Sequence, residues 1–233
     1  MARLPRLIVP HQPHHVIQTG NNEQPVFHDD DDYLAFLGWL RAAAKTYTVQ
    51  VHAYVLMPNH LHLLVTPTDG EGLGQMMQWV GRYYVPYFNH KYGRSGTLWN
   101  GRYKTSLIDA DAYFMLCSRY IESNPVRSGL AVRHEDYRWS SYCHHAGIRP
   151  DGLIIDHPKF WELGNTPFER EAAYVALFEL VITSDDITRI GNALLKGWPL
   201  GSEQFKAALQ NKVKRRVLPA KRGRPFKIQQ ETA

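Results

Sequence analysis

The 233-residue chain has only two cysteines, Cys117 and Cys143. They form neither a disulfide framework nor a metal-type spacing, so a reducing, cytoplasmic setting is the default. No apolar run approaches the ~18 residues that a membrane-spanning helix needs, which excludes a membrane partner. The N-terminal stretch Met1-Ala-Arg-Leu-Pro-Arg-Leu-Ile-Val-Pro10 is too short in apolar residues for a secretory segment, and Pro5 and Pro10 interrupt it. Acidic residues are missing from one region. Between Gln204 and Gln230 there are nine Lys or Arg and no Asp or Glu. Those nine belong to a total of 27, so the rest of the chain has fewer bases than its 22 acids. The net charge of +5 therefore resides in the tail, which reads either as a solvated terminus or as a handle for a polyanion.

What is present is a core. Hydrophobic residues make up 44% and aromatics 12%, with 13 Tyr and 6 Trp, enough for one large domain with an appendage. His14 to Thr19 alternates and ends at the turn signal Gly20-Asn21-Asn22, which predicts a strand. Asp29 to Asp32 begin a helix whose apolar residues run from Tyr33 to Ala44. Val49 to Leu56 and His60 to Thr66 read as two strands of an antiparallel hairpin, broken at Pro58-Asn59. Leu73 to Phe88 marks a second helix, with a core stripe including Met76, Met77 and Tyr84, which Pro86 should kink or shorten. A Gly-rich loop, Gly93 to Gly101, carries Trp99. Tyr103 to Asp109 reads as a fourth strand, and Asp111 to Ser123 as a third helix capped by Asp109 or Asp111. Thr166 to Thr183 and Ser202 to Lys214 read as later helices. This order predicts an α+β fold, a ferredoxin-like (split βαβ) antiparallel sheet with helices on one face and one further helix added.

The most informative residues are His60 and His62. On a strand, positions two apart share a face, so both imidazoles point one way and Leu61 and Leu63 the other. Two imidazoles on one face make half a shell for a divalent metal. In the third helix Tyr120 and Asn124 are four apart and share a face, and Pro125 should end the helix at Asn124. If that end lies over the histidine face, Asn124 supplies an oxygen ligand and Tyr120 a nucleophile. A phenol is weakly nucleophilic at neutral pH, and a nearby cation lowers the cost of ionising it.

The runs Tyr54-Val-Leu-Met-Pro-Asn-His-Leu-His-Leu-Leu-Val65 and Arg119-Tyr-Ile-Glu-Ser-Asn-Pro-Val-Arg-Ser-Gly-Leu130 resemble the single-tyrosine HUH transposases, and among them the REP-associated tyrosine transposases of bacteria. Gly20-Asn-Asn22, Gly96-Thr-Leu-Trp-Asn-Gly-Arg-Tyr103 and Trp139-Ser-Ser-Tyr142 add to the likeness, which extends weakly to Gly197-Trp-Pro-Leu-Gly-Ser-Glu-Gln-Phe205. Two positions depart from the family's pattern: Thr19, where a basic residue is usual, and Ser123, usually apolar. The resemblance implies a single-strand DNA endonuclease and strand transferase that uses Mg²⁺ or Mn²⁺. It makes His60 and His62 the metal pair, Asn124 an extra ligand and Tyr120 the nucleophile on the added helix. The substrate it implies is a repetitive extragenic palindrome folded as a hairpin, cut to leave a 5′-phosphotyrosine link and a free 3′-OH. Two other readings of the same residues are a palindrome-binding protein without catalysis and a zinc hydrolase using the two histidines.

Arg82, Arg102, Lys104 and Arg127 are candidate phosphate contacts, each equally readable as a solvated charge. Trp99 can stack on an unpaired base or pin its loop. Lys221, Arg222 and Arg224, in Lys221-Arg-Gly-Arg-Pro225, resemble a minor-groove hook on a loosely ordered arm. His14 and His15 read as strand-edge or DNA-contact residues rather than ligands, and His144 and His145 as loop residues. The expected organisation is a catalytic domain over 10–145, a helical extension over 146–203 and a basic arm over 204–233. The protein is expected to be a nucleoid-associated monomer or homodimer, with Tyr120 acting on its own subunit or on its partner's.

Overall fold

The computed structural model describes residues 5–218. Its core follows the expected order: β1 (His14–Thr19), α1 (Asp30–Thr46), β2 (Val49–Met57), β3 (His60–Pro67), α2 (Gly72–Lys91), β4 (Lys104–Leu107) and α3 (Ala110–Glu122). The strands form one antiparallel sheet in the order β2-β3-β1-β4. After β1 the chain turns tightly at Gly20, where a Cβ would lie 2.3 Å from the Gln24 carbonyl oxygen, so only glycine fits.

Alternation along the strands sorts the core into two layers. Val16, Leu61, Leu63 and Val65 pack under α1 and α2 with Phe36, Leu40, Met76, Val80 and Tyr84. Ala53, Val55, Met57 and Leu64 face the other way, onto Phe114, Cys117, Tyr120 and Ile121 of α3. Each leucine removed from water contributes about 1.5–3 kcal/mol, so the strand register is firmly set. A one-residue slip would turn His62 away from α3.

Three one-turn helices follow, α4 (Asn124–Arg127), α5 (Tyr142–His145) and α6 (Pro158–Trp161), and then α7 (Pro167–Leu177), α8 (Ser184–Lys196) and α9 (Glu203–Lys212). Ile190 and Ala193 of α8 join the α3 layer. Leu200 bridges Ile108 just beyond β4: its N–H donates to the Leu107 carbonyl, and its own carbonyl accepts from Asp109, both at 2.8 Å. On the opposite edge, the β2 backbone bonds to Trp139, Ser141 and Ile155.

The structure corrects several expectations. Pro86 does not end α2, which continues to Lys91. Asp109 stands at the N-cap of α3 without capping it, because its carboxylate accepts from the N–H and hydroxyl of Ser202. The helix expected over 166–183 stops at Leu177, and a separate helix, α8, begins at Ser184. The start of the basic segment folds as α9, and Leu209 and Val217 pack on Leu7 and Leu107. Lys221, Arg222 and Arg224 lie outside the described residues.

Candidate active site

His62 sits mid-sheet, between Ile17 of β1 and Val55 of β2. His60 lies at the end of β3 on the same face, with ring centroids 5.2 Å apart and the planes near perpendicular. α3 crosses this face and brings the Tyr120 ring edge-on to His62, with centroids 5.9 Å apart. The same ring lies 5.8 Å from that of His15. Tyr120 is 9% exposed, so it is packed but reaches the surface. The Arg127 guanidinium lies 4.3 Å above the Tyr120 ring and donates to the Tyr120 carbonyl at 3.3 Å. It packs on the ring and adds positive charge against its face.

α3 ends at Glu122 with Ser123 as its C-cap, earlier than expected, and α4 opens at Asn124 with Pro125 in its first turn, where a proline fits. Asn124 is buried one turn beyond Tyr120. Its amide nitrogen donates back to the Tyr120 and Ile121 carbonyls at 3.1 and 3.2 Å. Those bonds commit the nitrogen and leave the amide oxygen as the free end.

The two histidines suit a divalent cation. His60 Nδ1 bonds Asn59 Oδ1 at 2.7 Å, and His62 Nδ1 bonds His15 Nε2 at 2.9 Å. Both rings thus spend Nδ1, and neither Nε2 has a hydrogen bond among the described residues. This is how metal-binding histidines are usually held. Burial pushes both imidazoles below the ordinary range, and for His62 the neighbouring His15, His60 and Arg127 act in the same direction. The rings are therefore neutral near pH 7, as ligation requires. Among the described residues no three His, Cys, Asp or Glu side chains group as a metal site, since His15 is turned onto His62 rather than toward a shared point.

His15 differs from its expected place. β1 is an interior strand, so His14 and His15 are both buried and neither is at an edge or free to touch DNA. Burial brings His15 to about 3, and its Nδ1 has no hydrogen-bond partner among the described residues. Two adjacent histidines on a strand must face opposite sides, so one of them had to share the His62 face. Which one depends on the pairing of β1 with β3.

Of the other predicted contacts, only Arg127 reaches Tyr120. Arg82 is exposed on α2, in the layer across the sheet from α3. Trp99 is half-buried, stacks with Tyr84 and pairs its backbone with Gly20, which pins the loop. Arg102 is exposed and Lys104 opens β4. His145, expected in a loop, is buried in α5 and bonds the Glu122 carboxylate at 2.8 Å. That carboxylate also accepts from Tyr174 at 2.6 Å and from Ser141. This closed network ties the tyrosine-bearing helix to α5 and α7, and nothing in the sequence pattern indicates it.

Residues 9–124, about half of the chain, match the family model described as "Transposase IS200 like". The chain belongs to the IS200-like transposase family. Its fold is similar to that of a REP-associated tyrosine transposase solved bound to a REP hairpin, at 18% identity and a TM-score of 0.52, over 67% of this chain and 95% of that one. A crystal structure of a candidate transposase from Deinococcus radiodurans R1 is 22% identical over 52% of this chain and 97% of that one, with a TM-score of 0.36. No curated protein matches the chain. The family match spans both histidines, Tyr120 and Asn124, so all four lie in the part that this IS200-like member shares with its family.

Proposed function

We propose that the protein is a metal-dependent endonuclease and strand transferase for single-stranded, hairpin-forming DNA. The observation that carries this reading is the packing of the Tyr120 ring against His62, 5.9 Å between centroids, within one chain. His60 and His62 would hold Mg²⁺ or Mn²⁺ through Nε2, with the Asn124 amide oxygen as a third donor. Such a cation, when bound, supplies positive charge that polarises a phosphodiester oxygen.

Tyr120 attacks phosphorus with its phenolic oxygen. The new bond is Oη–P, and the bond that breaks is P–O3′. The phenol proton is released, and the departing 3′-oxygen takes up a proton to become a free hydroxyl. The fragment on the 3′ side of the cut stays linked to Tyr120 through its 5′-phosphate, which conserves the bond energy for rejoining. Arg127, stacked on the ring, meets the incoming phosphate and holds the phenol in place. His15 fixes the His62 ring through Nδ1. Resemblance to the hairpin-bound transposase supports a repetitive palindrome as substrate.

The test is incubation of the full chain with hairpin oligonucleotides and Mn²⁺ or Mg²⁺. A denaturation-resistant protein–DNA adduct should form and be absent with Tyr120→Phe. Binding without an adduct, across sequences and metals, would mean a silent palindrome binder. Cleavage that Tyr120→Phe leaves unchanged would point to hydrolysis by a histidine-bound zinc instead.

A further inference from the structure

His60 and His62 are held in different ways. His62 is buried mid-sheet, where packing restricts its ring. His60 is half-buried at the first position of β3, where packing leaves its ring more freedom. What restrains it is its neighbour. His60 Nδ1 lies 2.7 Å from Asn59 Oδ1, and the other end of that amide, Nδ2, donates to the Glu23 carbonyl at 3.3 Å.

These two bonds form a chain with a fixed direction. A backbone carbonyl only accepts, so it must face the NH₂ end of the amide. The amide oxygen is thereby turned to His60, and it too only accepts. The neutral His60 ring then carries its proton on Nδ1 and its lone pair on Nε2, the atom a metal would use. Without a partner, a neutral imidazole is free to carry its proton on either nitrogen. Asparagine suits this place because its two ends differ. An aspartate would accept from His60 but repel the Glu23 carbonyl, and a serine, able to donate or accept, would leave the direction open. His62 has no such reference, because its partner His15 is itself a ring that can donate or accept.

The chain is anchored in the turn Asn21–Glu23 that follows β1. Asn22 and Glu23 stand at φ 52° and 59°, left-handed backbone that asparagine adopts readily and glutamate seldom does. Such residues persist where their surroundings over-determine them. Here the Gly20 N–H donates to the Asn59 carbonyl and the Asn21 N–H to the Leu98 carbonyl, both at 2.8 Å. The Val26 N–H donates to the Pro58 carbonyl at 2.7 Å. The turn is therefore tied to the β2–β3 connection on one side and to the loop carrying Trp99 on the other. The anchoring atom is a backbone oxygen, so the Glu23 side chain is not required for it.

We infer that Asn59 is a positioning residue for the candidate metal centre: held on the Glu23 backbone oxygen, its amide sets the tautomer and plane of His60 so that Nε2 is ready for a divalent cation. This rests on the reading of His60 as a metal ligand in the proposed function. Loss of a bond that orients a ligating histidine lowers metal affinity by about 10- to 100-fold.

The test uses the full chain and two measurements. Long-range proton–nitrogen NMR on the metal-free protein shows which ring nitrogens carry protons, and calorimetry gives the affinity for Mn²⁺. Wild-type His60 should carry its proton on Nδ1. Asn59→Ala should let that proton spread to Nε2, weaken Mn²⁺ binding by about 10- to 100-fold and leave the His62 signals in place. Unmoved His62 signals separate this effect from a general loosening of the sheet. Asn59→Asp, whose carboxylate accepts from Nδ1 in either orientation, should restore the tautomer and the affinity although the bond to Glu23 is gone. Glu23→Asn keeps the backbone oxygen and suits the left-handed φ, so its His60 tautomer should match the wild type. A wild-type His60 protonated on Nε2, or an Asn59→Ala variant whose His60 tautomer or Mn²⁺ affinity does not change, would overturn the inference and leave the proposed function standing. If the wild type takes up no Mn²⁺, the metal reading falls and the inference with it.

Discussion

His15 Nε2 lies 2.9 Å from His62 Nδ1, in the buried layer between the sheet and α3. If His62 is to offer Nε2 to a metal, its proton sits on Nδ1 and is donated to His15. The proton of His15 is then on its own Nδ1, which has no hydrogen-bond partner among the described residues. Leaving that group unpaired costs about 1–3 kcal/mol, a stability cost that fixes the tautomer and plane of the neighbouring ring. His15→Phe should therefore weaken Mn²⁺ binding by about 10- to 100-fold in calorimetry, with metal-free hairpin binding unchanged. His15→Gln, which can still accept from Nδ1, should recover part of the loss. Wild-type Mn²⁺ affinity in His15→Phe would show that the bond has no bearing on the metal.

Glu122 is fully buried two residues beyond Tyr120, and three side chains donate to it. Glu122→Ala leaves Tyr174, His145 and Ser141 without their acceptor. The expected loss is about 3–5 kcal/mol in urea unfolding, with adduct formation falling further than hairpin binding because α3 loosens. A loss under about 1 kcal/mol, the scale of an ordinary surface pair, would count against this anchoring role.

Burial brings His14 and His52 to about 4, against 6.5 in an unfolded chain. Below pH 6.5 the unfolded chain takes up protons that these folded rings refuse. Stability is thus complete above pH 6.5 and falls as the pH drops toward 4, by up to about 1.4 kcal/mol per pH unit for each ring. Urea midpoints measured from pH 8 to pH 4 should be flat at first and then decline. A flat curve throughout would mean the rings are not held neutral.

Truncation after Leu218 removes Lys221, Arg222, Arg224 and Lys227 and spares α9 and the buried Val217. Hairpin affinity should drop, and the slope of log affinity against log salt should shrink by up to about 0.9 for each duplex phosphate no longer neutralised. An unchanged slope would show that this segment does not touch DNA.

The hairpin of β2 and β3 is readable from sequence because its polarity alternates and Pro58-Asn59 marks the break, and with it the shared face of His60 and His62. The four-residue step from Tyr120 to Asn124 is readable for the same local reason. What the chain hides depends on distant contacts. His15 joins His62 only because β1 lies inside the sheet. Glu122 looks like a surface residue at a helix end until α5 and α7 fold over it. α8 does leave local marks: Thr183 caps its start by accepting from the Asp186 N–H, and Gly197 ends it at φ 68°. Its apolar positions Ile187, Ile190 and Leu194 stand three and four apart, so its buried face is legible as well.

Leu200 bonds the chain at the end of β4, at Leu107 and Asp109, and the segments around Ser141 and Ile155 occupy the free side of β2. The margin at β2, and the end of the margin at β4, are thereby already bonded to the chain's own backbone. A second molecule seeking to extend the ladder at β2 would first have to peel these segments away. A copy that leaves the segments along β2 in place must meet this one through other surfaces.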